Sequence, residues 1–258
     1  MATRKNIVLI SPKGGVGKST ITANLAASYS QMRKKILLLE LDHQLALQNH
    51  FSSQLNAGNY GATTSDSGAK VLNGTQMDMV RTAPGIDILP FPHSQYYMDE
   101  QSSIGESRNG MVSEALNNNQ YDLVLIDTVS GSDSWMDIIS SGNCLALICI
   151  NPDAASYSTV VRVLENIRKV SSQGTSVPYR LLVNRMDSSR AISADTHAIF
   201  NEMFREKLID SCVPDDPVFA DSFAKGKPVN AISPYSKAST SFDELAKNLL
   251  DQDWDSFQ

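Results

Sequence analysis

The sequence predicts an α/β chain, a three-layer sandwich in which a mostly parallel, twisted sheet of about seven to eight strands carries helices on both faces. Three observations predict it. Short apolar runs alternate with longer stretches of helical periodicity. The runs are apolar at consecutive positions, as in Ile7-Val8-Leu9-Ile10, which is what burial on two faces produces. A glycine-rich turn, Ser11-Pro12-Lys13-Gly14-Gly15-Val16-Gly17, joins the first run directly to the first helical pattern.

The elements follow in order. Strands are expected at Asn6 to Ile10, Lys35 to Leu41, Ile86 to Pro90, Leu123 to Asp127, Cys144 to Ile150, Tyr179 to Asn184 and Leu208 to Val213, each a compact apolar run. Helical patterns separate them at Ser19 to Met32, Met111 to Asn118, Ser134 to Ser141, Ala154 to Val170, Asp195 to Phe204, Asp216 to Lys225 and Ser239 to Leu250. Asp153 is placed to cap the longest. The stretch Ser52 to Asp78 is rich in Ser, Thr, Asn and Gly and is expected to be a surface excursion with a short helix near Lys70 to Leu72. No repeat or linker divides the chain, so one domain over 1–250 is expected, followed by an acidic tail, 251–258, carrying Trp254 and Phe257.

Composition narrows the function. The 258 residues carry a net charge of −6, so no overall basic field draws in DNA or an anionic membrane. Cys144, Cys149 and Cys212 lack metal-type spacing and read as core thiols. The four histidines, His43, His50, His93 and His197, show no ligand spacing either, so surface or loop positions are expected. With no apolar leader and no run near the roughly 18 residues of a membrane span, a cytoplasmic protein is expected.

The glycine-rich turn is where chemistry enters. An apolar strand, glycines, then Lys18-Ser19-Thr20 opening a helix wraps backbone amides around a phosphate, with Lys18 adding charge and the Ser19 hydroxyl reaching Mg²⁺. Pro12 stands where G-x-x-x-x-G-K-[ST] has its first glycine, removing one backbone donor at the loop entrance. A phosphoryl-transfer site also needs carboxylates at the ends of neighbouring strands. Two runs end suitably, Leu39-Glu40-Leu41-Asp42-His43-Gln44 and Leu125-Ile126-Asp127-Thr128-Val129-Ser130-Gly131. By residue type alone, either aspartate also serves as a cap or turn former, and Lys13 as a solvated loop lysine.

The run Lys13-Gly14-Gly15-Val16-Gly17-Lys18-Ser19 resembles the deviant Walker A motif of the ParA/MinD P-loop ATPases. The resemblance implies a fold of the SIMIBI type and a Mg²⁺-dependent ATPase, slow without a stimulating partner. It implies a homodimer with ATP sandwiched at the interface, Lys13 reaching the partner's nucleotide. ATP or ADP would be held by Lys13, Gly14, Gly15, Val16, Gly17, Lys18, Ser19 and Thr20. In the family's switch, usually D-x-D-P-Q, Asp42 matches the residue that orients the attacking water, while Glu40 replaces the first aspartate and is assigned near the metal. Catalysis would rest on Lys13, Lys18 and Asp42. Asp127 matches the Walker B aspartate on Mg²⁺, and Gly131 the glycine of the second switch. Asn184 matches the adenine-contacting asparagine, and the backbone around Val213, Pro214 and Asp215 the second base contact.

Four stretches look more like the cellulose-biosynthesis (BcsQ) branch than like partition or division ATPases: the run from Leu41 to Phe51, Leu89-Pro90-Phe91, the run from Asn151 to Tyr157, and the run from Asn184 to Arg190. This resemblance implies a cytoplasmic ATPase that acts near an inner-membrane cellulose synthase, with a small companion protein and cytosolic parts of the synthase as partners. The alternative is a partition ATPase binding DNA nonspecifically as an ATP dimer, with Arg33-Lys34-Lys35 and Lys225-Lys227 as part of a basic face.

Overall fold

The computed structural model describes residues 5–42, 44–54, 70–72, 75–77, 79–82, 85–90, 110, 112–117, 120–141 and 144–251. The expectations for His43, His93, the middle of the 52–78 excursion and the tail from 252 onward lie outside the described residues.

In chain order the sheet-forming strands are β1 (Lys5–Ile10), β2 (Ile36–Glu40), β5 (Val80–Arg81), β6 (Ile86–Pro90), β7 (Leu123–Asp127), β8 (Leu145–Ile150) and β9 (Tyr179–Val183), with a separate pair β3 (Lys70–Leu72) and β4 (Thr75–Met77). The helices are α1 (Lys18–Gln31), α2 (Ala46–His50), α3 (Trp135–Ser140), α4 (Ala154–Ser171), α5 (Ala191–Phe204), α6 (Val218–Ala224), α7 (Val229–Ile232) and α8 (Lys237–Asp251), with a further helical stretch over 112–117. The seven-stranded sheet runs β5-β6-β2-β7-β1-β8-β9. Every pairing is parallel except that of β5 with β6.

The consecutive apolar runs are explained by the two faces they serve. Within β1, Ile7 and Leu9 pack with α1 and α8 residues such as Leu25, Tyr29, Phe242 and Leu245, while Val8 and Ile10 join Ile138, Val160, Ile167 and Phe200 on the opposite side. Strand β2 repeats the split, Ile36 and Leu38 to one cluster and Leu37 and Leu39 to the other. These side chains are essentially inaccessible. Truncating any one of the leucines or isoleucines to alanine costs about 2–5 kcal/mol.

Two expectations about the elements are corrected. The run Leu208 to Val213 is not a seventh parallel strand. Its apolar ends are buried and touch β9 at two points, Ile209 N donating to Leu181 O and Val213 N to Val183 O, both at 2.9 Å, while the polar Asp210 and Ser211 between them leave the ladder. The seventh strand is instead β5, two residues added antiparallel to β6. Residues 70–72 form a strand rather than a helix: Leu72 pairs with Thr75 across the sequence Asn73-Gly74, the dipeptide most favoured between hairpin strands.

Cys144 and Cys149 are buried core thiols, pushed up to about 12 by burial. Cys212 departs from that reading: it is half-buried, and its Sγ lies 3.3 Å from His197 Nε2 on α5. Among the described residues no helix is long and apolar enough to cross a membrane.

Candidate functional site

The site forms where the parallel strands end. Order β2-β7-β1-β8 places the carboxyl ends of β1, β2 and β7 around the loop between β1 and α1, and the connection from β1 to β2 runs along the sheet in the opposite direction to that from the neighbouring β8 to β9. The loop turns through two left-handed glycines, Gly15 at φ 75° and Gly17 at φ 93°. Gly17 is also the N-cap of α1 and supplies no side-chain cap, which leaves the first amides of the helix for an anion. A side chain there would meet Asn184 Nδ2 at 2.5 Å, so glycine is required by both conformation and space. The loop entrance tolerates Pro12 because the Ser11 hydroxyl donates across it to the Lys13 carbonyl, a closure that asks nothing of residue 12's missing N–H.

Lys18 turns inward. It is buried, and its Nζ donates to Asp127 Oδ1 at the end of β7. The other oxygen, Asp127 Oδ2, is buried with no hydrogen-bond partner among the described residues. A buried carboxylate oxygen without a donor, on the aspartate that pairs with Lys18 and so one residue before the half-exposed hydroxyl of Ser19, suits a hard divalent cation that keeps most of its ligands as water and phosphate. No cluster of three or more His, Cys, Asp or Glu side chains exists among the described residues to cage a metal without such help.

Asp42 lies two residues past the end of β2. Leu41 N donates to Asp127 O at 2.9 Å, and Asp42 accepts from Gln44 N at 3.1 Å. Glu40 pairs in register with Asp127, yet its carboxylate accepts from Leu47 N at 2.6 Å and Gln48 Nε2 at 3.3 Å, on the first turn of α2. Burial, opposed by these bonds and reinforced by Asp127, raises its pKa to about 7. The segment after β7 returns to the loop through Gly131, φ 70°, whose N donates to Ser11 O at 3.4 Å.

Asn184, one residue past β9, donates from Nδ2 to Val16 O at 2.6 Å and lines a cavity of about 500 Å³ with Gly17, Thr20, Arg185, Val213 and Asp215. Pro217, Phe219 and Phe242 supply its apolar wall. Arg185 holds a left-handed backbone there, φ 55°. Pro214 lies on the other side of the same strap, in a neighbouring cavity with Met186 and Cys212. The structure thus brings together the loop, Lys18, Asp127, Asn184 and Asp215.

Lys13 goes elsewhere. Its Nζ makes a forked contact with Asp153, 2.8 and 3.0 Å, and both side chains are about a third or more exposed. Asp153 also caps α4 as expected, accepting from Ser156 N at 2.9 Å. Burial works against its ionisation, but the bonds from Lys13 and Ser156 outweigh it and hold the carboxyl below the usual range.

Sequence reasoning misses this partner, and it misplaces His50. Rather than a surface or loop residue, His50 ends α2 with 1% exposure, its Nε2 3.2 Å from Thr20 Oγ1 and its ring edge-on to Phe223 at 4.9 Å. No local signal marks either contact. His197, by contrast, is half-exposed on α5 against Cys212, a surface position as expected, on a helix and not a loop.

A glycine loop between a buried strand and an uncapped helix, with its lysine on a strand-end aspartate, defines a P-loop nucleoside-triphosphatase fold. The model of the family described as cellulose biosynthesis protein BcsQ matches residues 4–250, and the chain belongs to that family, within the ParA/MinD type. It is 25% identical over 246 residues to the septum site-determining protein MinD of Bacillus subtilis, covering 95% of this chain and 88% of that one. It is 24% identical over 251 residues to the chromosome-partitioning ATPase Soj of Thermus thermophilus, covering 95% of each. Among solved structures, MinD of Pyrococcus horikoshii complexed with Mg-ADP superposes with a TM-score of 0.65 at 19% identity over 96% of both chains, a likeness of fold.

Proposed function

We propose that the chain binds ATP with Mg²⁺ at residues 11–20, hydrolyses it, and dimerises around it, in support of the assembly or localisation of a bacterial cellulose synthase and secretion complex. The observation that carries the ATPase reading is the buried Lys18–Asp127 pair set beneath the uncapped start of α1. It keeps a lysine and an unpaired carboxylate oxygen where phosphates and their cation belong. Bound Mg²⁺ supplies charge neutralisation on the phosphates, with Ser19 and Asp127 as the side chains suited to hold it.

The chain's own groups do the rest. The amides from Gly14 to Thr20 and the Lys18 ammonium take phosphate charge, and transition-state charge is what such donors stabilise most. Asp42, next to Leu41, whose N bonds Asp127 O, orients the attacking water. Asn184 and the strap through Val213 and Asp215 bound the cavity that receives the base. Lys13, half-exposed at the loop entrance, serves the partner's nucleotide. The match to the BcsQ family over 4–250 supports the cellulose-secretion role.

Titration with a fluorescent ATP analogue and phosphate-release kinetics test the reading. Lys18→Ala should lose nucleotide binding while keeping its circular dichroism, and a folded Lys18→Ala protein that binds normally would overturn it. An ATP-dependent pull-down of cytosolic synthase segments tests the partner. Binding to random duplex DNA with a steep salt slope would favour the partition alternative.

A further inference from the structure

Glu40 and Asp127 are register partners on neighbouring parallel strands, so their side chains leave the sheet on the same face. They are used differently. Asp127 faces Lys18 in the phosphate site. Glu40, fully buried, reaches along the chain instead, and both its oxygens are engaged on α2: Leu47 N donates to Oε1 at 2.6 Å and Gln48 Nε2 to Oε2 at 3.3 Å.

Among the described residues the helix it holds has no side-chain bond at its N-cap. Its N-cap position is Leu45, an apolar residue in the left-handed conformation, φ 50°, ψ 39°, which leucine adopts only where the surroundings impose it. Between the strand and the helix, Leu41 N bonds Asp127 O, and the next residue, Asp42, is held from the helix side, its carbonyl accepting from Leu45 N at 3.2 Å and its carboxylate from Gln44 N at 3.1 Å. The position of Asp42 therefore depends on α2 staying against the end of β2, and Glu40 is the side chain that spans that gap.

We propose that Glu40 is a positioning residue, which by clasping the first turn of α2 holds Asp42 at the phosphate end of the site. The proposal rests on the reading of Asp42 as the residue that orients water. Side-chain length is what it turns on. Aspartate in place of Glu40 is one methylene, about 1.5 Å, shorter. The 2.6 Å bond to Leu47 N then opens beyond hydrogen-bond reach. Glutamine keeps the length and an acceptor for Leu47 N. A carboxylate that served a cation directly would show the reverse order, tolerating aspartate and failing with glutamine.

The test compares Glu40→Asp and Glu40→Gln by amide hydrogen exchange of the nucleotide-free protein, with β7 amides as the control for global folding. Glu40→Asp should speed exchange at Leu47 and Gln48 at least tenfold, Glu40→Gln less than threefold, and β7 should not change in either. In turnover, Glu40→Asp should lower kcat at least fivefold with KM for ATP within twofold, and Glu40→Gln should fall less. Exchange at wild-type rates in Glu40→Asp, or the reverse order with a raised Mg²⁺ requirement in Glu40→Gln, overturns the proposal. Asp42→Ala separates the two layers. If it turns over normally, the reading of Asp42 has failed. If it stops turnover while Glu40→Asp loosens α2 without lowering kcat, the positioning role has failed.

Discussion

Replacing His50 with leucine changes how stability depends on pH by an amount the structure allows to be worked out. The ring is 1% exposed and its Nδ1 is buried without a partner among the described residues, and burial lowers its pKa from 6.5 to about 4. The folded protein then resists the proton that the unfolded chain accepts. Above pH 6.5 both states hold neutral histidine and the residue adds no slope; as pH falls from 6.5 towards 4 only the unfolded state gains the proton, and stability is lost. The whole window corresponds to about 3 kcal/mol, and the part lost by pH 5.0 to about 2 kcal/mol.

Glu40 acts with the opposite sign. Burial raises its pKa from 4.5 to about 7, so its contribution is fully present below 4.5 and lost as pH rises through 7. The two slopes partly cancel in the wild type, and Glu40 is common to both proteins, so the difference between them isolates His50. Leucine gives up the Thr20 contact but also removes the unpaired Nδ1, which leaves stability at pH 7.5 within about 1 kcal/mol of wild type. Urea unfolding of the nucleotide-free proteins at pH 7.5 and 5.0 is the assay. His50→Leu should gain about 2 kcal/mol on wild type between the two pH values. Parallel pH profiles would refute the burial argument.

Other predictions concern neighbouring contacts. Gly226→Ala drives a methyl group into Ser52 Oγ and to 2.9 Å from Ser53 N, at a φ of +58°, and should cost about 2–3 kcal/mol in thermal or urea unfolding. Asp153→Asn keeps an acceptor for Ser156 N and should leave unfolding unchanged, whereas Asp153→Ala uncaps α4 and should cost about 1 kcal/mol. Lys13→Ala should spare nucleotide binding but lose ATP-dependent dimerisation in light scattering; a variant that dimerises normally would remove Lys13 from the shared site.

What is legible in the sequence is what local pattern encodes. β6 and β7 are bounded to the residue because each is an apolar run closed by a residue that cannot continue it in the same environment, Pro90 and Asp127. The phosphate loop is legible because conformation and chemistry there are set within ten neighbouring positions. Leu208 to Val213 misleads because burial of its two apolar ends looks the same in sequence whether or not the polar residues between them stay in a ladder. His50 misleads because nothing in a five-residue helix tells that Thr20 and Phe223 close over its last residue. Glu40 is likewise illegible, because nothing in the local pattern tells that Leu47 N and Gln48 Nε2 will take its carboxylate.

Lys13 shows how such a distant contact bears on the proposed cycle. One ammonium cannot sit on Asp153 and on a partner subunit's phosphate together, so dimerisation around ATP requires the Lys13–Asp153 pair to open. The pair joins residues 140 positions apart, with 33% and 42% of the side chains exposed. Ion pairs in that setting contribute about 0–1 kcal/mol. The barrier to releasing Lys13 is therefore small beside the attraction of a polyphosphate. Asp153 keeps its bonds to Ser156 N and Oγ when Lys13 leaves, so α4 retains its cap. The contact is suited to parking the lysine in the monomer, and it gives way without cost to the fold.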